Sequence, residues 1–232
     1  WFTVLADAVS NPTLTPMPEK SVNELRANVR EIYEKGVAAL QKNNLDYAIE
    51  LFMQVVRQEP ACFDARQALR ATQHRRAGNK SGGLFKKFLG ATNTMTKGRL
   101  ALRSDPFEAI LIAEEALNDD PTNSGAHQLL AEAALAASLP KTAILSLEVA
   151  FKANPSDRKL AEKLADTCSS AGQRPRAEKI LRDLLTTDPN DPGLNEKLKN
   201  LLANRTLTEG GYEALADGSG SYRDILRDKD QA

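Results

Sequence analysis

The chain has 232 residues, and its 31 basic and 31 acidic side chains leave no net charge. A domain that binds nucleic acid usually carries a basic excess, so this balance argues against that class of protein. Aromatic residues make up only 5% of the chain while Ala and Leu are abundant, which is typical of an all-helical protein. No apolar run approaches the ~20 residues that span a bilayer as a helix.

Residues 1–20 are predicted to form an extended N-terminal arm, because the prolines at positions 12, 16 and 18 interrupt any helix. Two interpretations of the arm stay open: a disordered leader, or a segment that docks on this chain or on a neighbour through Trp1 and Phe2. The chain does not begin with Met, so processing from a longer precursor also stays open. The expected compartment is the cytoplasm, and a trimmed N terminus would allow another.

The repeat region is expected to begin at Ser21, directly after the arm. Ser21 and Glu24 have the spacing of a capping box, which predicts a helix from there to about Gln41. Asn43 and Asn44 predict the turn that follows, since Asn is a favoured turn residue. A second helix then follows, and a proline ends it.

This second helix carries a pattern that recurs three more times along the chain. Each copy places three small or apolar residues at i, i+4 and i+7, on one face of a helix, and then ends at a proline. The copies are Ala48, Phe52 and Val55 before Pro60; Ala109, Ala113 and Ala116 before Pro121; Ala143, Leu147 and Ala150 before Pro155; and Ala177, Leu181 and Leu184 before Pro189. The last three prolines recur at a period of about 34 residues, which is typical of stacked helical repeats. The first interval, from Pro60 to Pro121, is longer by most of a second period.

The pattern resembles the tetratricopeptide repeat (TPR), a helix–turn–helix unit of about 34 residues with small and aromatic residues at set positions. The preceding helices supply matching residues, which are Ile32 with Gly36, Leu130 with Ala131, and Leu164 with Ala165. The resemblance covers about residues 29–203. It implies an all-α, right-handed helical-repeat solenoid of about four helix–turn–helix units plus a C-terminal capping helix. This domain is expected to occupy residues 21–205.

Small residues are needed where the two helices of a unit cross, because a larger side chain would push the helices apart. Ala48, Ala143 and Ala177 are predicted to occupy these crossings. Residues 191–204 are predicted to form the capping helix, whose leucines would face the repeats while its polar side faces water.

The second unit departs from the family pattern, because Arg66 and Arg70 stand where the family places an aromatic and a small residue. An insertion is predicted at about residues 79–105, after glycines that break the preceding helix. It contains a short basic amphipathic stretch whose apolar residues are Leu84, Phe85, Phe88 and Leu89. Three interpretations stay open: this stretch packs on the repeats, it docks another protein or subunit, or, least favoured, it contacts an anionic membrane surface.

Residues 206–232 are predicted to form a glycine-rich linker and a short amphipathic C-terminal tail. Tyr222, Ile225 and Leu226 share one face of the tail. A helix of fewer than three turns is not stable alone. The tail is therefore expected to be disordered or docked in a groove of this chain or of a neighbour.

The sequence contains no pattern that carries catalysis or binds a cofactor or a metal. It has no glycine-rich phosphate loop, no paired histidines at metal spacing and no GxSxG motif. Cys62 and Cys168 belong to different repeats and are predicted to be buried core residues. His127 occupies an aromatic position of the third unit and is also predicted to lie in the core. The chain is therefore not expected to be an enzyme, and no cofactor is expected.

The resemblance implies that the first helix of each unit lines a groove that binds peptides by shape. Some members of the family grip a C-terminal carboxylate with Lys, Asn and Arg, but Tyr33, Val37, Gly125 and Leu129 occupy those positions here, so that clamp is missing. The mixed polar wall suits an extended or helical peptide, while a solvated surface is the simpler interpretation of any one side chain. The candidate groove residues are Arg30, Tyr33, Val37, Gln67, His74, Gln128, Glu132, Lys159 and Lys163.

These features favour a non-enzymatic scaffold or adaptor that binds a peptide or a partner subunit through the groove and the amphipathic insert. The alternative is a structural subunit of a homo-oligomer, or of a larger complex that could be membrane-associated, assembled through the arm, the insert and the tail. Under both interpretations the expected partner is a protein, with self-association open and no nucleic acid. Repeats of this kind specify a surface rather than a single ligand.

Overall fold

The computed structural model describes residues 19–79 and 91–209, and these residues form ten α-helices. The helices are α1 (Ala27–Gln41), α2 (Leu45–Gln58), α3 (Phe63–Asn79), α4 (Ala91–Ala101), α5 (Pro106–Asp119), α6 (Ser124–Ala136), α7 (Pro140–Ala153), α8 (Arg158–Ser170), α9 (Arg174–Thr187) and α10 (Pro192–Glu209). A 3₁₀ turn at Val22–Glu24 and an isolated bridge between Lys20 and Cys62 complete the regular structure of these residues. The predicted all-α helical-repeat fold is confirmed.

The helices keep the repeat period of the sequence. The first helices α6, α8 and α10 begin at positions 124, 158 and 192, and the second helices α5, α7 and α9 begin at positions 106, 140 and 174. α4 begins at Ala91, almost one full period ahead of α6, so it has the register of a first helix, and it packs against α5 and α6. This helix lies within the predicted insertion. The described residues divide into two compact units between Ser146 and Leu147, inside α7.

The small residues that were predicted for the helix crossings lie in the core. Ala48, Ala143 and Ala177 are all fully buried. In α1, Gly36 approaches the ring of Phe52 so closely that a Cβ atom at this position would lie 2.7 Å from Phe52 Cε1. Because protein interiors are close-packed, a side chain at Gly36 would force α1 and α2 apart.

The predicted capping box forms, but it caps the 3₁₀ turn rather than α1. Glu24 accepts hydrogen bonds from the backbone nitrogen of Ser21 at 2.6 Å and from its hydroxyl at 2.8 Å. Leu25 and Arg26 then have ψ angles of 151° and 146°, outside the helical range, and α1 begins only at Ala27. The single helix expected from Ser21 onward is therefore two elements.

The reason for this break is that the chain ahead of the turn is fixed to the loop between α2 and α3. The backbone nitrogen of Lys20 donates to the Ala61 carbonyl oxygen at 2.9 Å, and that of Phe63 donates to the Lys20 carbonyl oxygen at 3.1 Å. The backbone nitrogen of Val22 donates to Asp64 Oδ2 at 2.8 Å. These bonds fix the direction in which the chain enters the turn, and a change of direction is needed before α1.

Glu19, near the end of the predicted arm, caps α7. Its carboxylate oxygens accept hydrogen bonds from the backbone nitrogens of Lys141 and Thr142, each at 2.7 Å. The first N–H groups of a helix have no acceptor within the helix, and a negative charge there is favoured by the helix dipole. Glu19 therefore links the N-terminal segment to a helix that lies far along the chain.

A buried ion cluster attaches α3 to α5. Arg66 and Arg70, the two departures from the repeat pattern, are both buried. Arg66 Nε lies 2.9 Å from Glu114 Oε1 and Arg70 Nη2 lies 2.6 Å from Glu114 Oε2, so one carboxylate of α5 holds two guanidinium groups. Arg66 also donates to Thr142 Oγ1 at 2.9 Å and to the Pro60 carbonyl oxygen at 2.8 Å. These hydrogen bonds offset part of the cost of burying charge.

In the compact unit that begins at Leu147, α9 packs against α8 and α10 packs against α9. Leu194 and Leu201 of α10 are buried. On the outside of the unit, Lys197 Nζ of α10 lies 3.2 Å from Glu162 Oε2 and 2.8 Å from Asp166 Oδ2 of α8. α10 therefore lies where the capping helix was predicted, with leucines inside and an ion-paired lysine near the surface.

Candidate functional site

The candidate groove residues of α1 are engaged within their own unit. Arg30 Nη2 donates to the Asn23 carbonyl oxygen at 2.7 Å. The ring of Tyr33 packs against Phe52 with centroids 5.5 Å apart, and Val37 is half-buried against the same core. Burial, with the negative charge of a nearby Asp adding to it, raises the pKa of Tyr33. These three side chains therefore support the packing of α1.

The candidate residues of α3 and α6 lie nearer to solvent. On α3, Gln67 is exposed and His74 is half-buried. On α6, Gln128 is half-buried and donates to Ser124 Oγ at 3.3 Å, while Glu132 is exposed. Helical spacing places Gln128 and Glu132 on one face of α6.

Leu135 continues this face of α6 by a further turn at i+7 from Gln128. Its side chain is 39% exposed. The face therefore combines two polar side chains with an apolar one that is open to solvent.

The candidate residues of the compact unit that begins at Leu147 lie on α8. This helix also carries an ion-pair network. Lys159 is exposed and Lys163 is half-buried. Arg158 pairs with Glu162 on the same helix and with Asp191 beyond its end. The pKa of Asp191 is lowered by a hydrogen bond from a backbone nitrogen and by Arg158. The pKa of Glu162 is lowered chiefly by its hydrogen bond with Arg158.

The structure shows four exposed residues that the sequence did not single out, three on α4 and one in the turn that follows it. Lys97, Arg99 and Arg103 are exposed, and Leu100 is 68% exposed between them. On the other side of the helix, Gly98 is in such close contact with α6 that a Cβ atom there would lie 2.3 Å from a methyl carbon of Leu129. The signal that could have found this helix is its start, almost one full repeat period ahead of α6.

His127 and the two cysteines are core residues, as predicted. His127 is fully buried, and its Nε2 lies 2.9 Å from the Pro121 carbonyl oxygen. A carbonyl oxygen only accepts, so Nε2 carries a proton. Burial, with the charge of Arg70 adding to it, lowers the pKa of His127 to about 4. Cys62 and Cys168 are buried free thiols, and burial raises the pKa of both.

Some predicted sites fall on residues that the structure does not describe. The apolar residues of the insert, Leu84, Phe85, Phe88 and Leu89, lie outside the described ranges, and so do the tail residues Tyr222, Ile225 and Leu226. Within residues 19–79 and 91–209, no group of three or more His, Cys, Asp or Glu residues is placed to hold a metal ion. Among the helices of these same ranges, none combines the length and the apolar character needed to cross a membrane.

No protein-family model matches the sequence, and no curated protein matches it significantly. Among solved structures, the chain is similar to the TPR domain of P58(IPK), with 18% identity and a TM-score of 0.42 over 86% of this chain and 70% of that one. It is also similar to a thermophilic TPR protein of Thermus thermophilus, with 17% identity and a TM-score of 0.41 over 75% of this chain and 99% of that one. A tetratricopeptide repeat protein from Parabacteroides merdae gives 19% identity and a TM-score of 0.41 over 83% of this chain and 78% of that one.

Proposed function

We propose that the chain is a non-enzymatic adaptor that binds a segment of another protein on the outer surface of its first helices. We define the first-helix face as Leu100 of α4 together with Gln128, Glu132 and Leu135 of α6. α4 and α6 pack against each other, so these side chains are carried by neighbouring helices of one unit.

The observation that supports this proposal most strongly is the exposure of leucines on this face. Three large hydrophobic side chains stand out as exposed in the described part of the chain: Tyr47 at 49%, Leu100 at 68% and Leu135 at 39%. Two of these three lie on the first-helix face. Covering these leucines with a bound segment would remove apolar surface from water, which is favourable.

The polar residues of the face suit a peptide partner. Gln128 and Glu132 lie two turns and one turn before the leucine on α6, so polar side chains border the apolar one. Interfaces commonly surround an apolar anchor with polar groups that set orientation. The exposed leucines and the polar residues of the first-helix face together favour recognition of an extended or helical segment with at least one apolar residue.

The titratable groups of the core also support binding rather than catalysis. Glu114 is held by two arginines, His127 is a buried neutral ring and both thiols are buried. Each of these groups therefore has a structural use within the repeats. A catalytic acid, base or nucleophile would need to reach a substrate.

The experiment that tests this function is a selection of random displayed peptides on the immobilised full chain. The proposal expects enrichment of peptides that share an apolar residue, and enriched peptides should bind the chain in solution. If no peptide is enriched beyond those that bind the bare support, the adaptor proposal fails. Light scattering on the same sample tests the structural-subunit alternative, since a stable multimer without added partner would favour that interpretation.

A further inference from the structure

The charges of this neutral chain are distributed very unevenly along the sequence. Residues 65–104 contain ten Lys and Arg residues and no Asp or Glu. Of the 31 basic side chains, this leaves 21 outside the segment, against all 31 acidic ones. The balance of the whole chain therefore conceals a strongly basic segment that covers α4 and all but the first two residues of α3.

Most of the cations of α3 are used inside the molecule. Two of its arginines hold Glu114, as described above. Arg75 Nη2 donates to Asn43 Oδ1 at 2.8 Å, and Arg76 Nη2 donates to Asn118 Oδ1 at 3.0 Å. Hydrogen bonds of this kind occupy the guanidinium groups, so α3 offers few cations to a partner.

The cations of α4 and of the turn after it are arranged differently. Lys97, Arg99 and Arg103 are exposed, and none of them has an ion-pair partner among the described side chains of residues 19–79 and 94–203. Leu100, at 68% exposure, lies among them. Lys97, Arg99 and Leu100 lie on α4 and Arg103 lies in the turn directly after it, and we call these four exposed residues the basic face of α4.

We propose that the basic face of α4 binds an acidic segment of a partner protein, with an apolar residue of that segment covering Leu100. The inference rests on the proposed function and specifies the chemistry of the partner. The three exposed cations of the basic face favour carboxylates in the partner. Opposite charges attract each other over several ångströms, and this attraction raises the rate of encounter. Leu100 supplies the apolar contact that fixes the position of the segment, since exposed ion pairs alone contribute little.

The packing of α4 favours a protein segment over a membrane surface. A helix that lies on a membrane needs a broad apolar face to insert among the lipids. The apolar side of α4 is already used: Ala101 is buried, and Gly98 is in close contact with Leu129 of α6. Leu100 is the one large apolar side chain that the basic face presents. One leucine among three cations is suited to a single apolar residue flanked by acids.

The test compares two triple variants of the full chain that lose the same charge. K97Q/R99Q/R103Q removes the cations of the basic face, and K152Q/K179Q/K199Q removes three exposed lysines of α7, α9 and α10. The probe is a labelled synthetic peptide of glutamates interrupted by a pair of leucines, with a matched peptide in which serines replace the leucines. Circular dichroism and the urea midpoint check that both variants are folded.

The proposal predicts that the basic-face variant binds the leucine peptide about five- to tenfold more weakly than wild type, as expected from the loss of three exposed ion pairs. The control variant should bind within about twofold of wild type. Leu100→Ser should weaken the leucine peptide and leave the serine peptide unchanged. Added salt should weaken wild-type binding, because charges further apart than about 10 Å are screened at 0.1 M.

Three results would overturn the proposal. The peptide could fail to bind wild type, or the two triple variants could weaken it equally, which would indicate attraction by overall charge alone. The third result is that the basic-face variant loses binding to phosphatidylserine vesicles while it keeps the peptide, which would assign this face to a membrane. In each case the peptide-display selection still tests the adaptor function separately, since displayed peptides of other chemistry could bind.

Discussion

Arg66 of α3 and Glu114 of α5 form an ion pair at 2.9 Å in which neither side chain is exposed to solvent. The same carboxylate holds Arg70 at 2.6 Å, so two buried cations depend on one anion. Burial opposes ionisation of Glu114, but the two guanidinium groups outweigh it and hold the pKa of this carboxyl below its usual range. Glu114 is therefore expected to be charged in the folded chain.

The first prediction is that Glu114→Gln strongly destabilises the fold. Without the carboxylate, Arg66 and Arg70 are left buried with no counter-charge, and breaking a buried pair in this way costs about 3–5 kcal/mol. Urea unfolding followed by circular dichroism measures the change. Glu115→Gln is the matched control, because Glu115 pairs with Arg57 at 57% and 52% exposure and such a pair contributes at most about 1 kcal/mol. Equal effects of the two variants would contradict the structural importance of the cluster.

The second prediction concerns pH. Burial lowers the pKa of His127 from 6.5 to about 4. As the pH falls from about 6.5 to about 4, the unfolded chain takes up a proton at this residue and the folded chain does not. The free energy of unfolding should therefore decrease across this window, by on the order of 3 kcal/mol. Urea midpoints at a series of pH values measure the slope.

A matched pair of variants assigns this slope to its source. His127→Phe removes the titrating group and keeps a ring, so the dependence between about pH 6.5 and 4 should become flatter. His74→Gln removes the other histidine, which is only half-buried, and is the control for the general effect of losing a histidine. An unchanged slope in His127→Phe would show that another group is responsible.

The third prediction uses one substitution at two glycines. Gly36→Ala should destabilise the chain by about 1–3 kcal/mol, because its Cβ atom would lie 2.7 Å from the buried ring of Phe52. Gly78→Ala meets no atom within 4 Å and should stabilise α3 by up to about 1 kcal/mol, since Ala is the better helix former. The two urea midpoints should therefore shift in opposite directions. An unchanged or raised midpoint of Gly36→Ala would contradict the close contact between α1 and α2.

The fourth prediction tests the link between the N-terminal segment and α7. Glu19→Ala removes the acceptor for the backbone nitrogens of Lys141 and Thr142 and should cost about 0.5–2 kcal/mol, as the loss of a helix cap does. Hydrogen exchange at these two amides should become faster. Glu34→Ala, at an exposed position of α1, should change stability by less than about 0.5 kcal/mol. Unchanged exchange at Lys141 and Thr142 would rule out the cap.

The repeat architecture was predictable because its determinants are local. The alanines predicted for the helix crossings and the terminating prolines recur at a fixed spacing, and each is expected where only a small or helix-ending residue fits. α4 was harder to predict, since it contains three threonines and a glycine and has no clear apolar period. Its position depends on the close contact between Gly98 and Leu129 of α6, which no local pattern reveals.

The long-range polar contacts could not be predicted from the sequence. Arg66 and Arg70 stood out as exceptions to the pattern, but their partner, Glu114, is 48 and 44 residues away. The pairing of Lys20 with the loop before α3 is made by backbone atoms, which are the same in every residue. The sequence therefore indicated where the pattern was broken, and only the fold shows which groups compensate for it.

The most direct test of the central claim is a titration of one display-selected peptide against three forms of the full chain. Leu135→Arg changes the first-helix face, and Tyr47→Arg makes the same kind of change at an exposed residue of α2. If the first-helix face binds the peptide, Leu135→Arg should weaken binding about tenfold or more, as the loss of an apolar anchor does, while Tyr47→Arg binds like wild type. Equal affinity of wild type and Leu135→Arg, or a loss confined to Tyr47→Arg, would contradict the account.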